Sequence, residues 1–204
     1  MAVKIDTRNA GCAVIFNYKL YVWGGHSSET RYPPAFDGTD SSETESSEDS
    51  EPVVVEFNLP RKDDPDHPFD VLDLSTRQWN KQPTSGDVPS NGNGSSLNVY
   101  PPTNSLYLIG GWNDGDFDSD VYMISVDVWK WEKLQPATSV KPSPRYTTGV
   151  LIHRNHMCMF GGLGLKIVPG QDPGADYNTF FFKGVERNFG WNNEYYEFNL
   201  TSST

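Results

Sequence analysis

An all-β fold made of repeated antiparallel sheets is predicted for this 204-residue chain by three observations. A short apolar run that stops on two glycines occurs three times, as LYVWGG at 20–25, LYLIGG at 106–111 and MCMFGG at 157–162. Each run is preceded, across a short connector, by a second apolar stretch. Eighteen glycines and fifteen prolines suit many turns and argue against long helices.

Each Gly-Gly run is too short to bury one face of a helix, and its aromatic and β-branched content reads as a buried strand. The stretches upstream are GCAVIF, SSLNVY and TTGVLI, and the connectors NYK, PPTNS and HRNH are turn-like. Each unit therefore begins as a β-hairpin. Downstream, VLDLSTRQW closes on Trp79 and VYMISVDVWKW on Trp129 and Trp131, each reading as two more strands. The third unit offers NEYYEFNLTSST alone, so its outer strand is missing.

Gly110 and Gly161 stand 51 positions apart, and Gly24 and Gly110 stand 86 apart. Four strands per unit at a period of about 50 residues describe kelch-type β-propeller blades. The longer first interval requires an insertion of about 35 residues on that period. HSSETRYPPAFDGTDSSETESSEDSEP, at 26–52, supplies it. The chain is thus read as a partial propeller: blade one over 8–85 with an acidic, disordered insertion at 27–52, blade two over 90–138, and blade three over 144–204. The Gly-Gly strand is placed near the crowded propeller axis, where glycine permits close approach and positive φ. Trp79, Tyr122 and Trp129 are assigned to the wedges between blades.

Composition bounds the function. A formal charge of −11 disfavours nucleic acid, because phosphate binding needs clustered lysine and arginine. No apolar stretch approaches a membrane span and MAVKIDTRNA lacks the core of a signal peptide, so a cytoplasmic or nuclear location without membrane contact is expected. Cys12 and Cys158 read as buried, reduced thiols without a disulfide. DGDFDSD, from Asp114 to Asp120, resembles a calcium loop, yet Ser119 replaces the required glycine and Ser125 the final glutamate. His153 and His156 read as hairpin shoulders rather than ligands. No nucleophile elbow, phosphate loop or dinucleotide fingerprint is present, so neither an enzyme nor a metal or cofactor site is predicted.

The long connecting segments, 26–68, 112–120 and 163–191, all follow a Gly-Gly or precede a blade, which puts them on one rim. Insertions confined to one face of a repeat array usually mark the binding face. Trp112 and Trp191 are its exposed-aromatic candidates, and Arg145 is a candidate anchor for a carboxylate. The competing roles are packing within their own loops for the tryptophans and an ion pair with a neighbouring aspartate for Arg145. In the acidic segment Ser42 and Ser46 precede Glu45 and Asp49 by three positions, so both are candidates for acid-directed phosphorylation.

Pro60 and Arg61, GDVP at 86–89 and RNFGWNNEYYEF at 187–198 occur together with the Gly-Gly starts. This set is similar to the small kelch-domain-containing substrate receptors of cullin-type ubiquitin ligases, which read C-terminal glycine degrons. The resemblance implies six blades, of which about three are here, arginines after the third blade that grip the degron carboxylate, and a C-terminal helical box for the ligase adaptor. This chain stops before both, so an adaptor partner is expected only of a longer form. Trp191 matches a pocket residue of that family, and Leu163 stands at the position of a family tyrosine just after Gly-Gly. The leading expectation is a noncatalytic module that binds protein or peptide C-termini on one rim. The alternatives are a scaffold that holds a folded partner through the rim and the acidic loop, or a fragment without function of its own. Three blades cannot close a ring, so both end faces should be exposed, and a homodimer could complete it.

Overall fold

The computed structural model describes residues 10–25, 69–89, 93–113, 116–136, 141–165, 178–182 and 185–201. The acidic segment with Ser42 and Ser46, and the Pro60-Arg61 dipeptide, lie outside the described residues. Apart from one 3-10 turn at Pro101–Thr103, the regular structure among the described residues is all strand.

Blade one is β1 (Cys12–Phe16), β2 (Lys19–Trp23), β3 (Phe69–Asp73) and β4 (Gln78–Gln82), antiparallel throughout in that spatial order. Its first hairpin turns at Asn17 and Tyr18, both at positive φ, as a two-residue loop matched to strand twist requires. A short strand, β5 (Ser85–Gly86), leaves this blade and lies parallel along the outer edge of the next. Blade two is β6 (Ser96–Tyr100), β7 (Ser105–Ile109), β10 (Val121–Ser125) and β11 (Lys130–Leu134), interrupted by a rim hairpin of β8 (Trp112–Asn113) and β9 (Asp116–Phe117). β5 covers the outer edge of β11 and pairs its open backbone groups, a common protection for edge strands.

After β12 (Arg145–Tyr146), blade three has β13 (Gly149–His153), β14 (His156–Phe160) and β18 (Tyr195–Asn199). It has three strands among the described residues, where blades one and two have four. His153 and His156 face each other across the Arg154-Asn155 turn, as hairpin shoulders do. The segment 163–191, read from sequence as a loop, instead contributes β15 (Leu163–Leu165), β16 (Asn178–Phe182) and β17 (Val185–Trp191). With β12 these form a separate sheet in the order β12-β15-β17-β16.

Two wedges hold the blades together. Between blades one and two, Tyr21, Trp23, Phe69 and Val71 pack against Leu97, Leu106, Leu108, Ile124 and Trp131. Trp131 is 0% exposed, with ring centroids 5.0 Å from Trp23 and 5.7 Å from Phe69. Between blades two and three, Tyr100, Tyr107, Ile109 and Val121 meet Met157 and Met159, flanked by Tyr196 and Phe198. Two sequence expectations are corrected. The first strands β1, β6 and β13 approach one another from blade to blade, so they are innermost and the Gly-Gly strands come second. Tyr122 and Trp129 do pack on the first wedge, but Trp79 does not, because its register opposite Leu72 turns it to the other face of blade one.

Candidate functional site

The Gly-Gly pairs set the rim by bending the chain off the end of each second strand. Gly110 and Gly162 have φ of 68° and 99°, where side chains are strained, and a Cβ on Gly110 would stand 2.7 Å from the Arg145 carbonyl. The freed backbone groups are stitched to the segment leading into the next blade. Gly111 N–H donates to Arg145 O at 2.9 Å, Arg145 N–H to Asp118 O at 3.0 Å, and Asn192 N–H to Gly162 O at 2.9 Å. The rim is therefore an ordered backbone mesh carrying side chains from both blades.

One row of those side chains is apolar. In the rim sheet Tyr146 pairs with Leu163, and Leu163 with Trp191. Directly opposed residues on adjacent strands share a face, so the three stand in line. Leu163 is buried, whereas Trp191 is 74% exposed. Tyr146 stacks on Phe117 at 5.2 Å between centroids and 15° between planes. Phe117 is itself the strand partner of Trp112, which is half-buried and whose backbone N–H donates to Asn93 O at 2.8 Å. The row thus runs from blade two to blade three and ends on an open indole.

Beneath it lies Arg145, 1% exposed. Its Nε donates to the Ser143 carbonyl at 2.9 Å and its Nη1 to the Gly161 carbonyl at 3.1 Å. Its Nη2 donates to Ser143 Oγ at 2.6 Å and to Glu194 Oε2 at 2.7 Å. The guanidinium also sits 5.4 Å from the centre of the Tyr196 ring. Asn192 Nδ2 and Tyr196 Oη donate to the same Glu194 oxygen at 3.0 and 3.1 Å. The hydrogen bond from Arg145 is the chief reason the Glu194 carboxyl is held below the usual glutamate range. Burial, and then the Glu194 carboxylate, raise the Tyr196 phenol. The carboxylate that Arg145 holds here is the chain's own, from a glutamate rather than the aspartate considered as an alternative.

In the calcium-like loop, Asp118 Oδ1 accepts the Asp120 N–H at 2.7 Å and Asp120 pairs with Lys133. Burial raises the Asp118 carboxyl. Among the described residues no group of three or more His, Cys, Asp or Glu could hold a metal. Cys12 and Cys158 are half-buried rather than fully buried, and the Cys12 thiol donates to the Trp23 carbonyl at 3.6 Å. No helix among the described residues is long and apolar enough to cross a membrane.

Of the residues singled out from sequence, Arg145, Leu163 and Trp191 fall in one sheet, and Trp112 joins them through Phe117 and Tyr146. Sequence reasoning missed Tyr146, Phe117 and Glu194. SPRYTTG carried the signal for Tyr146, as an aromatic directly after the arginine.

A family model described as the KLHDC2/KLHL20/DRC7 Kelch-repeats domain matches residues 58–204. Human Kelch domain-containing protein 2 is 27% identical over 162 residues, covering 77% of this chain and 33% of that protein. Human Kelch domain-containing protein 1 is 22% identical over 165 residues, covering 79% of this chain and 33% of that protein. The bovine Kelch domain-containing protein 2 is 28% identical over 162 residues. The chain spans about a third of the length of these curated relatives.

Proposed function

Since this chain belongs to the KLHDC2/KLHL20/DRC7 kelch-repeat family, we propose that its Gly-Gly rim binds short protein segments and, in its most specific form, reads the C-terminal residues of a partner. Kelch repeats make protein–protein interaction modules, and the observation that carries the finer reading is the Tyr146–Leu163–Trp191 row. A buried leucine flanked by a 74%-exposed indole offers an apolar seat for one or two peptide side chains. Arg145 lies in the same sheet, adjacent to Tyr146 on its strand, and already holds one carboxylate. A peptide C-terminus that engaged Arg145 would have to displace the carboxylate of Glu194, which is 49% exposed. Service as the receptor subunit of a cullin-type ligase is the extension of this reading to the whole, longer protein. A cytoplasmic or nuclear location accords with it.

Fluorescence anisotropy with matched peptides, one ending in a free carboxylate and one amidated, tests the reading. Tighter binding of the free-carboxylate peptide, with affinity reduced in Trp191→Ala, is the expected result. Equal binding of both forms, weakening steeply with salt, would instead favour an acidic scaffold that holds a basic surface.

A further inference from the structure

The turn between the third and fourth strands repeats from blade one to blade two, and the two copies differ at one residue in a telling way. Arg77 N–H donates to Asp73 O at 2.7 Å, and Trp129 N–H donates to Ser125 O at 2.8 Å. Both residues sit at φ 59°, and each precedes by two positions the tryptophan of its outer strand, Trp79 or Trp131. The turns are therefore equivalent, with an arginine in one and a tryptophan in the other. The left-handed region suits glycine or asparagine, so a bulky ring there is an outlier of the kind that clusters at functional positions. Arg77 is exposed, whereas Trp129 is half-buried and turned onto blade one, its ring centroid 5.9 Å from Tyr21 and 5.8 Å from Phe69.

Trp129 walls a cleft of about 430 Å³ between the two blades. The cleft lies at the end of the first wedge away from the Gly-Gly rim, where Lys19 begins β2 and Asp73 ends β3. Its volume is that of a small-ligand site. Tyr21 and Val71 face it from blade one, Trp129 and Asp127 from blade two. The charges inside are uneven. Lys19 stands opposite Asp73 in register, so those two offset each other, whereas Asp127 Oδ2 accepts from the neutral Asn104 amide at 3.2 Å. The field of that carboxylate reaches across the cleft, because burial and then Asp127 push the Tyr21 phenol above its ordinary value. Asn80 and Gln82 line the remaining side, and Gln82 uses its Nε2 on the Pro83 carbonyl at 3.1 Å, which leaves its amide oxygen to accept.

Aromatic rings beside a carboxylate and an amide oxygen are the surroundings that a planar cation takes. The ring faces attract it and the carboxylate accepts its paired N–H groups. An anionic ligand would instead meet Asp127 and Asp73, in a chain of formal charge −11. We propose that this cleft is a second binding site, which takes an arginine side chain of a partner protein with the guanidinium against Trp129 and paired to Asp127. It shares no residue with the Gly-Gly rim, so it stands or falls apart from the rim reading.

Nuclear magnetic resonance of the indole N–H groups tests the proposal, since the chain has six tryptophans and the signal missing from Trp129→Phe identifies the one in the cleft. N-acetylarginine amide at millimolar concentration should shift that signal, and its uncharged isostere N-acetylcitrulline amide should not. The rim signal, identified by its loss in Trp191→Ala, should stay still. Asp127 is exposed and Asp127→Asn keeps an oxygen for Asn104, so the fold should hold while the affinity for the arginine probe falls about two- to fivefold, the range of an exposed charge pair. A Trp129 signal that does not move overturns the proposal, as do equal responses to the arginine and citrulline probes, a titration indifferent to Asp127→Asn, or a shift confined to Trp191.

Discussion

Replacing Arg145 with methionine keeps most of the buried stem while removing the guanidinium fork, and the hydrogen bonds around it fix the expected cost. The Gly161 carbonyl lies in a buried contact and loses the donor at 3.1 Å, leaving an acceptor whose desolvation is worth about 1–3 kcal/mol. The Ser143 carbonyl loses the donor at 2.9 Å from a partly buried position, which belongs at the lower end of the same range. Glu194 is 49% exposed, so its released carboxylate rehydrates and the lost ion pair adds no more than about 1 kcal/mol. Together these give about 2–5 kcal/mol, or roughly 4–20 °C in Tm for a protein of this size. Glu194→Gln keeps an acceptor oxygen for Arg145 and should cost less than about 1 kcal/mol. Thermal denaturation followed by circular dichroism compares the two. If Arg145→Met melts within about 2 °C of the wild type, or if Glu194→Gln is as damaging, the guanidinium hydrogen bonds do not hold the rim together.

Three further outcomes follow from the same geometry. Trp191→Ala should weaken peptide binding by about 2 kcal/mol, as loss of an interface anchor does, while changing stability by no more than about 0.5 kcal/mol, since the indole is largely in solvent; equal losses in titration calorimetry and melting would mean that it packs rather than binds. Trp131→Ala empties the centre of the first wedge and should cost about 3–5 kcal/mol in denaturant unfolding. The Glu194 carboxyl is held below its ordinary value of 4.5, so it stabilises the fold fully above that value and the contribution is lost as pH falls through the lowered one; acid titration of Glu194→Gln should show a shallower loss than the wild type over that window.

Blade architecture was legible because it rests on local chemistry. A run such as LYLIGG specifies a strand by its side chains and a stop by its glycines, and three copies at a blade-like period leave little choice of fold. The site was less legible, and the reason is register. Tyr146, Leu163 and Trp191 are far apart in sequence and meet only because β12, β15 and β17 pair in one alignment, which spacing does not reveal. LGL and VERNFGW carry glycines and charges that weaken a strand pattern, so the rim sheet read as a loop. Arg145 was legible as a carboxylate-holding group but its partner was not. The glutamate it holds, Glu194, stands 49 positions on and is brought to it only by the fold.

The same blade geometry leaves the rim free to vary and holds the strand faces fixed. The Gly-Gly strand presents one face to each neighbouring blade, so its side chains are committed to wedge packing on both sides and cannot serve a ligand. What can vary is where the chain goes after the glycines. At positive φ it leaves the sheet, and its backbone groups bond to the lead-in of the following blade, as Gly111 does with Arg145. Insertion at that point therefore leaves the wedges untouched, and this chain has built a hairpin after Gly111 and a sheet strand after Gly162 there. Substitution on the strand faces is constrained in the opposite way, because a face is tolerable in water only when another blade covers it. Phe160 and Tyr195 retain the aromatic character of Trp23 and Phe69 although nothing within the described chain covers them. Such a face has the chemistry of a wedge, and the same constraint that keeps Trp23 and Phe69 aromatic inside the stack keeps it so.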